Sequence, residues 1–367
     1  MKKTLVYLNP DCFTDTDLTV LKHLTNDFRV VWYYIHESKK TNKLTIEDAE
    51  QYAHQNGIEL NIVDPKVRNR SVKNLWFYLR IAKEINKIHP DVVFHCERNP
   101  YWAIAIKTRL KCRKVILGVH DAKSHSYSFS ISMLLERLTR DFVLYEHKYF
   151  VTFSEGQKEL FKREYARDSY MVGMSYKYFG DSKLKRDNIG NGVKLLFFGS
   201  INKYKGLDLL ISALEQLKSE GICNISLTIA GKGIFWSTCE QLIKTPEMYN
   251  LQIRFIDNGE IPDLMSSHHF LVLPYRDATQ SGPLATAVAY ELPVIAPNFG
   301  CFTETYSRES AILYNPGHIK EALAEVSNIS SDKYEAMRNV CKKLKVAYSE
   351  EAIALNYVKC FDDILEL

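Results

Sequence analysis

The chain has 367 residues, 46% of them hydrophobic and 25% charged, with a formal net charge of +4. That length exceeds what one compact core serves and predicts two domains. The mild positive charge excludes the dense basic load of a nucleic-acid coat and suits anionic small molecules or an anionic membrane face.

The opening MKKTLVYLNPDCFTD has a short apolar core that meets Pro10 and Asp11 at once. It reads as a first strand over 4–8 rather than a signal peptide, which needs a longer apolar stretch. No run of 18 apolar residues occurs, so no spanning helix is expected. Eight cysteines stand singly with no C-x-x-C pair, which predicts neither a zinc site nor a disulfide framework and fits reduced, cytoplasmic thiols. Further strands are expected at 30–35, 58–63, 91–95, 114–119 and 149–153. Between the third and fourth, residues 71–88 place Leu75, Tyr78, Leu79 and Ala82 at helical spacing. The polar, glycine-bearing stretch 178–192 reads as a join. Strands resume at 193–198, 225–231, 253–257, 270–274 and 293–297, and EEAIALNYVKCFDDILEL reads as a terminal helix. Alternating strand and helix implies parallel sheets with crossover helices, hence an α/β fold of two doubly wound domains. Ligands of such sheets bind beyond the carboxyl ends of the strands, so the loops there, facing an expected cleft between domains, are the place to search.

Two of those loops stand out. In LLFFGSINKYKGLDLLISAL (195–214), Leu207, Leu210, Ile211, Leu214 and Leu217 share one helical face, and the helix begins near Gly206. Lys203 and Lys205 precede it, where a cation adds to the positive dipole end and an anion would relieve it. Gly199 leaves room for a ligand at the backbone. The functional reading is a diphosphate cradle, though not a P-loop, since G-x-x-x-x-G-K-[ST] is missing; the bland one is a solvated loop. In ATQSGPLATAVAYELPVIAP (278–297), Ser281 and Gly282 precede Pro283 at the first helical position, a second helix start aimed from a strand end, or a routine cap.

Taken together, FFGSINKYKGLDLLISAL, LTIAGKG and the run from IRFID to LPVIAP resemble the donor domain of retaining GT-B glycosyltransferases, the large bacterial family of cell-surface sugar transferases. VILGVHDAKSHS resembles the strand of that family's acceptor domain that ends in His-Asp. The resemblance implies a GT-B fold: an acceptor domain over 1–177, a linker over 178–192, a nucleotide-sugar donor domain over 193–349 and a terminal helix 350–367 crossing back to the first domain. It implies a retaining, metal-independent hexosyltransferase of surface polysaccharide biosynthesis. The partners would be a nucleotide-sugar donor and a saccharide or lipid-linked acceptor, with no nucleic acid, no cofactor and peripheral contact with the inner membrane surface.

Residue by residue, Gly199, Lys205 and Gly206 match the family's G-R-x-x-x-x-K-G diphosphate loop, with Ser200 at the arginine position and Lys203 as the substitute charge. The family's two glutamates fall on Ala278 and Thr286, neither acidic; threonine is expected to keep a hydrogen bond to ribose. Backbone amides around Gln280, Ser281, Gly282, Pro283 and Leu284 are expected to hold sugar or phosphate. Asn258 and Gly259 match the nucleobase loop, and Glu304 lies near an acidic family position. His120 is expected to face the transferred sugar, oriented by Asp121. Because acid/base carboxylates are missing at 278 and 286, a GT-B nucleotide-sugar epimerase is the less favoured alternative, and a non-catalytic nucleotide-sugar-binding protein is a third.

Asp15-Thr16-Asp17 spells the metal-binding D-x-D of another fold, but follows a strand and precedes helical spacing, so helix capping explains it and no metal is expected. The loop residues Asp11, Thr14 and Asp15 remain candidates for acceptor contact. His268-His269 has no partner at ligand spacing. Tyr127, Ser128 and Ser130 near His120 lack the G-x-S-x-G of a hydrolase. The basic runs 66–73 and 107–114 read as solvated helix faces or as a footing on anionic lipid.

Overall fold

The protein is described from a computed structural model, which covers residues 2–38, 44–67, 71–120, 122, 131–278 and 281–367. It divides into two units, residues 1–175 with 350–367, and residues 176–349. The first unit holds β1 (Lys3–Pro10), β2 (Phe28–Ile35), β3 (Glu59–Val63), β4 (Val92–His95), β5 (Val115–Val119), β6 (Tyr149–Thr152) and β7 (Tyr170–Met171). They form one parallel sheet in the order β3-β2-β1-β4-β5-β6-β7. The second unit holds β8 (Val193–Phe198), β9 (Ile225–Ala230), β10 (Tyr249–Gln252), β11 (Phe270–Val272), β12 (Val294–Pro297) and β13 (Ala311–Tyr314), parallel in the order β10-β9-β8-β11-β12-β13. Each sheet reverses its winding once, at β1/β4 and at β8/β11, and ligand crevices form at such points.

Both sheets are buried on two faces, which is why their strands read as near-continuous apolar runs. On one face of the second sheet, the helix Leu207–Ser219 lays Leu207, Leu210, Ile211, Leu214 and Leu217, each at most 1% exposed, over Leu195, Phe197, Leu227 and Ile229. Each such side chain contributes about 1.5–3 kcal/mol. On the other face, Leu284, Ala287 and Val288 of the helix Gly282–Ala289 cover Leu196 and Leu271. In the first unit, the terminal helix Glu350–Glu366 packs Tyr357 and Phe361 against Phe94, with ring centroids 5.7 Å away in each case.

Three sequence expectations change. The strand expected at 253–257 is absent; β10 lies just before it. Its neighbour β9 stops at Ala230, and the amide of Gly231 closes the ladder on Gln252 O at 3.0 Å, so 253–257 has no strand to pair with. β7 and β13 were too short or too polar at their ends to be expected. The stretch 178–192 is irregular apart from a 3-10 turn at Ile189–Asn191, but it is no free linker. Arg186 Nε donates to His268 O at 2.5 Å and Nη2 to Met265 O at 3.0 Å, while Tyr290 Oη donates to Gly180 O at 2.9 Å. Carbonyls left over at helix and strand ends need donors, and this segment supplies them.

Candidate active site

The chain leaving β8 runs between the loops that follow β9 and β11, closer than any side chain allows. A Cβ on Gly231 would lie 1.9 Å from Gly199 O, and one on Gly206 1.9 Å from Pro274 O. Both glycines have positive φ, +150° and +68°. A Cβ on Gly199 itself (φ +114°) would stand 3.1 Å from Lys205 Nζ and 3.5 Å from Pro283 Cγ. The two segments singled out in the sequence therefore meet here, and Gly199 makes room first for the protein's own lysine and proline.

Lys205 is 6% exposed. Its Nζ lies 5.3 Å from the centroid of the Tyr275 ring, within cation–π range. No carboxylate pairs with it among the described residues. Burial alone pulls its ammonium down to about 8. An unpaired buried cation is unfavourable until an anion arrives. Lys203, by contrast, is exposed, and Ser200 only accepts a bond from Asn202 Nδ2 at 3.2 Å; Lys203 is not placed to supply the charge missing at 200.

The foot of the helix Leu207–Ser219 differs from expectation. Asp208 stands in its first turn, where a carboxylate favours the positive helix end. Arg276 closes the arrangement with two bonds to that carboxylate, at 2.9 and 2.7 Å, and a third to Lys203 O at 2.6 Å. An acidic side chain in the first turn offsets the dipole that a bound anion would otherwise meet, and the amides of Leu209 and Leu210 go to Gly206 O at 3.0 and 3.2 Å. What this helix end offers is a fixed loop from which Lys205 projects.

The helix Gly282–Ala289 starts one residue earlier than expected, with Ser281 as its cap. Leu284 donates its amide to Ser281 Oγ at 3.3 Å and Pro283 has none, leaving Gly282, with open space where a Cβ would be. Among the described residues, Gly282 N–H is the first-turn amide with no partner. Gln280 lies outside the described residues. Thr286 is 2% exposed and gives its hydroxyl proton to Gly282 O at 3.1 Å, so it is not offered to a ribose. Gly300 (φ +57°) brings its loop to Ala278, where a Cβ would stand 2.5 Å from Ala278 O, and Glu304 lies exposed in the short helix that follows. Asn258 and Gly259 are exposed in a 3-10 turn fixed by Glu260, which accepts two bonds from Arg254 at 2.7 and 2.5 Å. His268 and His269 are structural: His268 contacts Leu264 O and Thr228 Oγ1, each at 2.7 Å, and His269 accepts from Lys194 N at 2.9 Å.

In the first unit, His120 follows β5 and lies flat between two rings. Phe13 stacks at 4.4 Å on one side and Phe153 at 3.9 Å on the other. Burial, then the charge of Arg98, pulls its imidazole down to about 3, so it is neutral at physiological pH. Asp121 lies outside the described residues, as do Tyr127, Ser128 and Ser130. Of the loop residues expected at an acceptor, Thr14 is 2% exposed and Asp11 is held by Tyr34 Oη at 2.5 Å and Leu44 N at 3.1 Å; both brace the loop. Asp15 stays exposed in the first turn of its helix. Asp17 is 1% exposed and accepts from Tyr7 Oη and Asn9 Nδ2, a core network rather than a cap.

Residues 192–332 match the family described as Glycosyl transferases group 1. The match lies within the second unit. No curated protein matches the chain significantly. Among solved structures, Anabaena HepE in complex with UDP superposes with a TM-score of 0.69 at 14% identity, over 98% of this chain and 100% of that one. The lipopolysaccharide outer core galactosyltransferase WaaB gives 0.71 at 11%, over 98% and 99%. A UDP-N-acetylglucosamine 2-epimerase gives 0.60 at 11%, over 100% and 96%. At these identities the likeness establishes the fold: two Rossmann-like domains of GT-B type.

Within the matched residues, sequence reading missed Tyr275, beneath the Lys205 amine, and the Arg276–Asp208 clamp. It also missed the phenyl rings about His120 in the first unit. An acid in a first helical turn beside two lysines was a usable signal for Asp208. Nothing local joins Phe13 to residues 120 and 153.

Proposed function

We propose that this protein is a glycosyltransferase that moves a hexose from a nucleotide-sugar to a saccharide or lipid-linked acceptor with retention and without a divalent metal. We place it in surface polysaccharide biosynthesis at the cytoplasmic face of the inner membrane. The observation that carries the reading is the buried, carboxylate-free amine of Lys205 beside Gly199 and Pro283, within the residues that match the group 1 family. The names of the structures similar to this chain support the donor class: HepE was solved with UDP, and separately with UDP-glucose.

The chemistry follows from charge. As the glycosidic bond of the donor breaks, negative charge gathers on the departing diphosphate. Lys205 supplies a buried cation, whose field is magnified by its dry surroundings, and Gly282 an exposed amide for it. The acceptor oxygen then bonds to the anomeric carbon on the face the diphosphate leaves, and the leaving phosphate takes the acceptor proton. His120, neutral and held flat, serves as a hydrogen-bonding group toward the sugar rather than as an acid. Asn258, Gly259 and Glu304 are proposed to contact the nucleoside, and Asp15 the acceptor. Asp121 and Gln280 keep the roles the resemblance implies.

A panel of UDP-, GDP- and ADP-sugars tests this, with release of free diphosphate and sugar isomers followed together. Diphosphate release supports transfer. A changed sugar without release points to epimerisation, which the shared fold of the epimerase keeps in view, and binding without turnover points to a sugar-nucleotide-binding protein, the reading that Ala278 and Thr286 keep in view.

A further inference from the structure

The helix Lys73–Ile88 in the first unit has two unlike faces. Phe77, Tyr78, Ile81, Ala82 and Ile85 are buried. The opposite stripe reads Lys73, Trp76, Arg80, Lys83 and Lys87, all exposed, at intervals of one helical turn. Trp76 is 75% exposed, and Val72, just before the helix, 71%. Solvated helix faces commonly alternate sign, each cation answered by an acid one turn away. Here Glu84 reaches Arg80 at 3.7 Å, and the sequence from Pro65 to Lys83 holds six cationic side chains and no carboxylate.

The second basic run joins the first. Asn86 Nδ2, on the same helix, donates to Arg109 O at 2.8 Å, and its Oδ1 accepts from Lys111 N at 2.8 Å. Arg109 and Lys111 are exposed, so their charges extend the stripe, while Lys107 is neutralised by Glu146 at 2.7 Å. Residues 109–111 of the second run thus adjoin the helix whose exposed stripe carries Lys73 of the first run and the indole of Trp76.

We propose that this face docks on an anionic phospholipid bilayer, with Trp76 and Val72 entering the headgroup boundary and the cations resting on lipid phosphates. Charge complementarity selects an anionic partner, and the indole selects a lipid one: tryptophan favours the membrane–water boundary, whereas a soluble polyanion offers it nothing apolar to enter. The inference rests on the proposed transfer to a lipid-linked acceptor, which gives such a footing its use.

The full chain is sedimented with vesicles of equal parts phosphatidylglycerol and phosphatidylcholine, and with phosphatidylcholine alone. Binding is expected to the first and not the second, weakening as salt rises from about 0.1 M to about 0.5 M and the Debye length shrinks. Of the four tryptophans, Trp32 and Trp102 are fully buried and Trp236 is half-buried against the core of the second unit, so a blue shift of emission on binding is expected to come from Trp76 and to vanish in Trp76→Phe. The triple change Lys73→Glu, Lys83→Glu, Lys87→Glu, all at exposed positions, is expected to cut binding at least about tenfold. No binding to phosphatidylglycerol vesicles, equal binding by the triple variant, a shift that survives Trp76→Phe, or full displacement by dextran sulfate would each overturn the proposal. Diphosphate release from donor sugars without vesicles is read separately, so failure of docking and failure of the transferase reading are told apart.

Discussion

The strand ends of the two units solve opposite electrostatic problems. In the second unit, a lysine is buried among glycine backbones with no acid to pair with it among the described residues, and its pKa falls to about 8. In the first, a histidine is pressed between Phe13 and Phe153, and its pKa falls to about 3. Desolvation acts on both, but from different starting points. The lysine stays mostly charged at pH 7, and the histidine stays neutral until pH falls to about 3. One group keeps a charge and the other loses it, from the same fold and the same physical force.

The contrast breaks most clearly at Lys205. Lys205→Met is expected to lower kcat/KM for donor turnover about 100-fold or more, the scale of one lost electrostatic donor. The same change is expected to stabilise the ligand-free protein at pH 7, by up to ~3 kcal/mol, because a desolvated charge is removed. Activity assays and thermal melts on one preparation check both. A variant that loses activity and stability together removes Lys205 from this role.

The crowded backbone tests the scaffold under that lysine. Gly231→Ala would force a Cβ to within 1.9 Å of Gly199 O, and is expected to cost ~3 kcal/mol or more in urea unfolding. Gly282→Ala, with open space around it, is expected to stay within about 0.5 kcal/mol. Equal effects would mean that the strand-end approach is looser than described.

On the other side of the comparison, His120→Ala is expected to slow transfer about tenfold or more while leaving nucleotide affinity unchanged by calorimetry. Loss of both would reassign His120 to structure.

The pH profile sharpens the difference. Since kcat/KM follows the free enzyme, it is expected to decline as pH rises through about 8, where Lys205 loses its proton. Lys205→Arg is expected to move that limb beyond the measurable range, because guanidinium stays protonated. No acidic limb is expected from His120 until about 3. Its effect on stability is read at low pH. Between pH 6.5 and about 3 the unfolded imidazole binds a proton that the folded one refuses. Stability is therefore complete above pH 6.5 and declines as pH falls, by at most ~1.4 kcal/mol per pH unit from this group. A melt series from pH 7 to 5 in wild type and His120→Phe measures it.

Much of the fold was legible because a doubly wound sheet writes itself locally. Buried parallel strands are apolar runs, and their crossover helices carry one apolar stripe. The run expected at 253–257 failed for a non-local reason, since a strand needs a partner and β9 had ended. The site was legible as far as its glycines, Lys205 and the 281–283 cap. The ring beneath the lysine, the Arg276–Asp208 clamp and the inward turn of Thr286 were not, because each depends on residues distant in the chain or on a rotamer.

By itself, then, the order of residues determined the two layered sheets, the loops that follow their strands and the surplus of positive charge on the first unit. Periodicity and local backbone preference act over a few residues and need no partner to be read. Tertiary structure alone decided which charges were buried, which were answered, and that the helix Lys73–Ile88 and residues 109–111 adjoin. Desolvation and pairing are properties of neighbours in space, and the linear sequence does not list them.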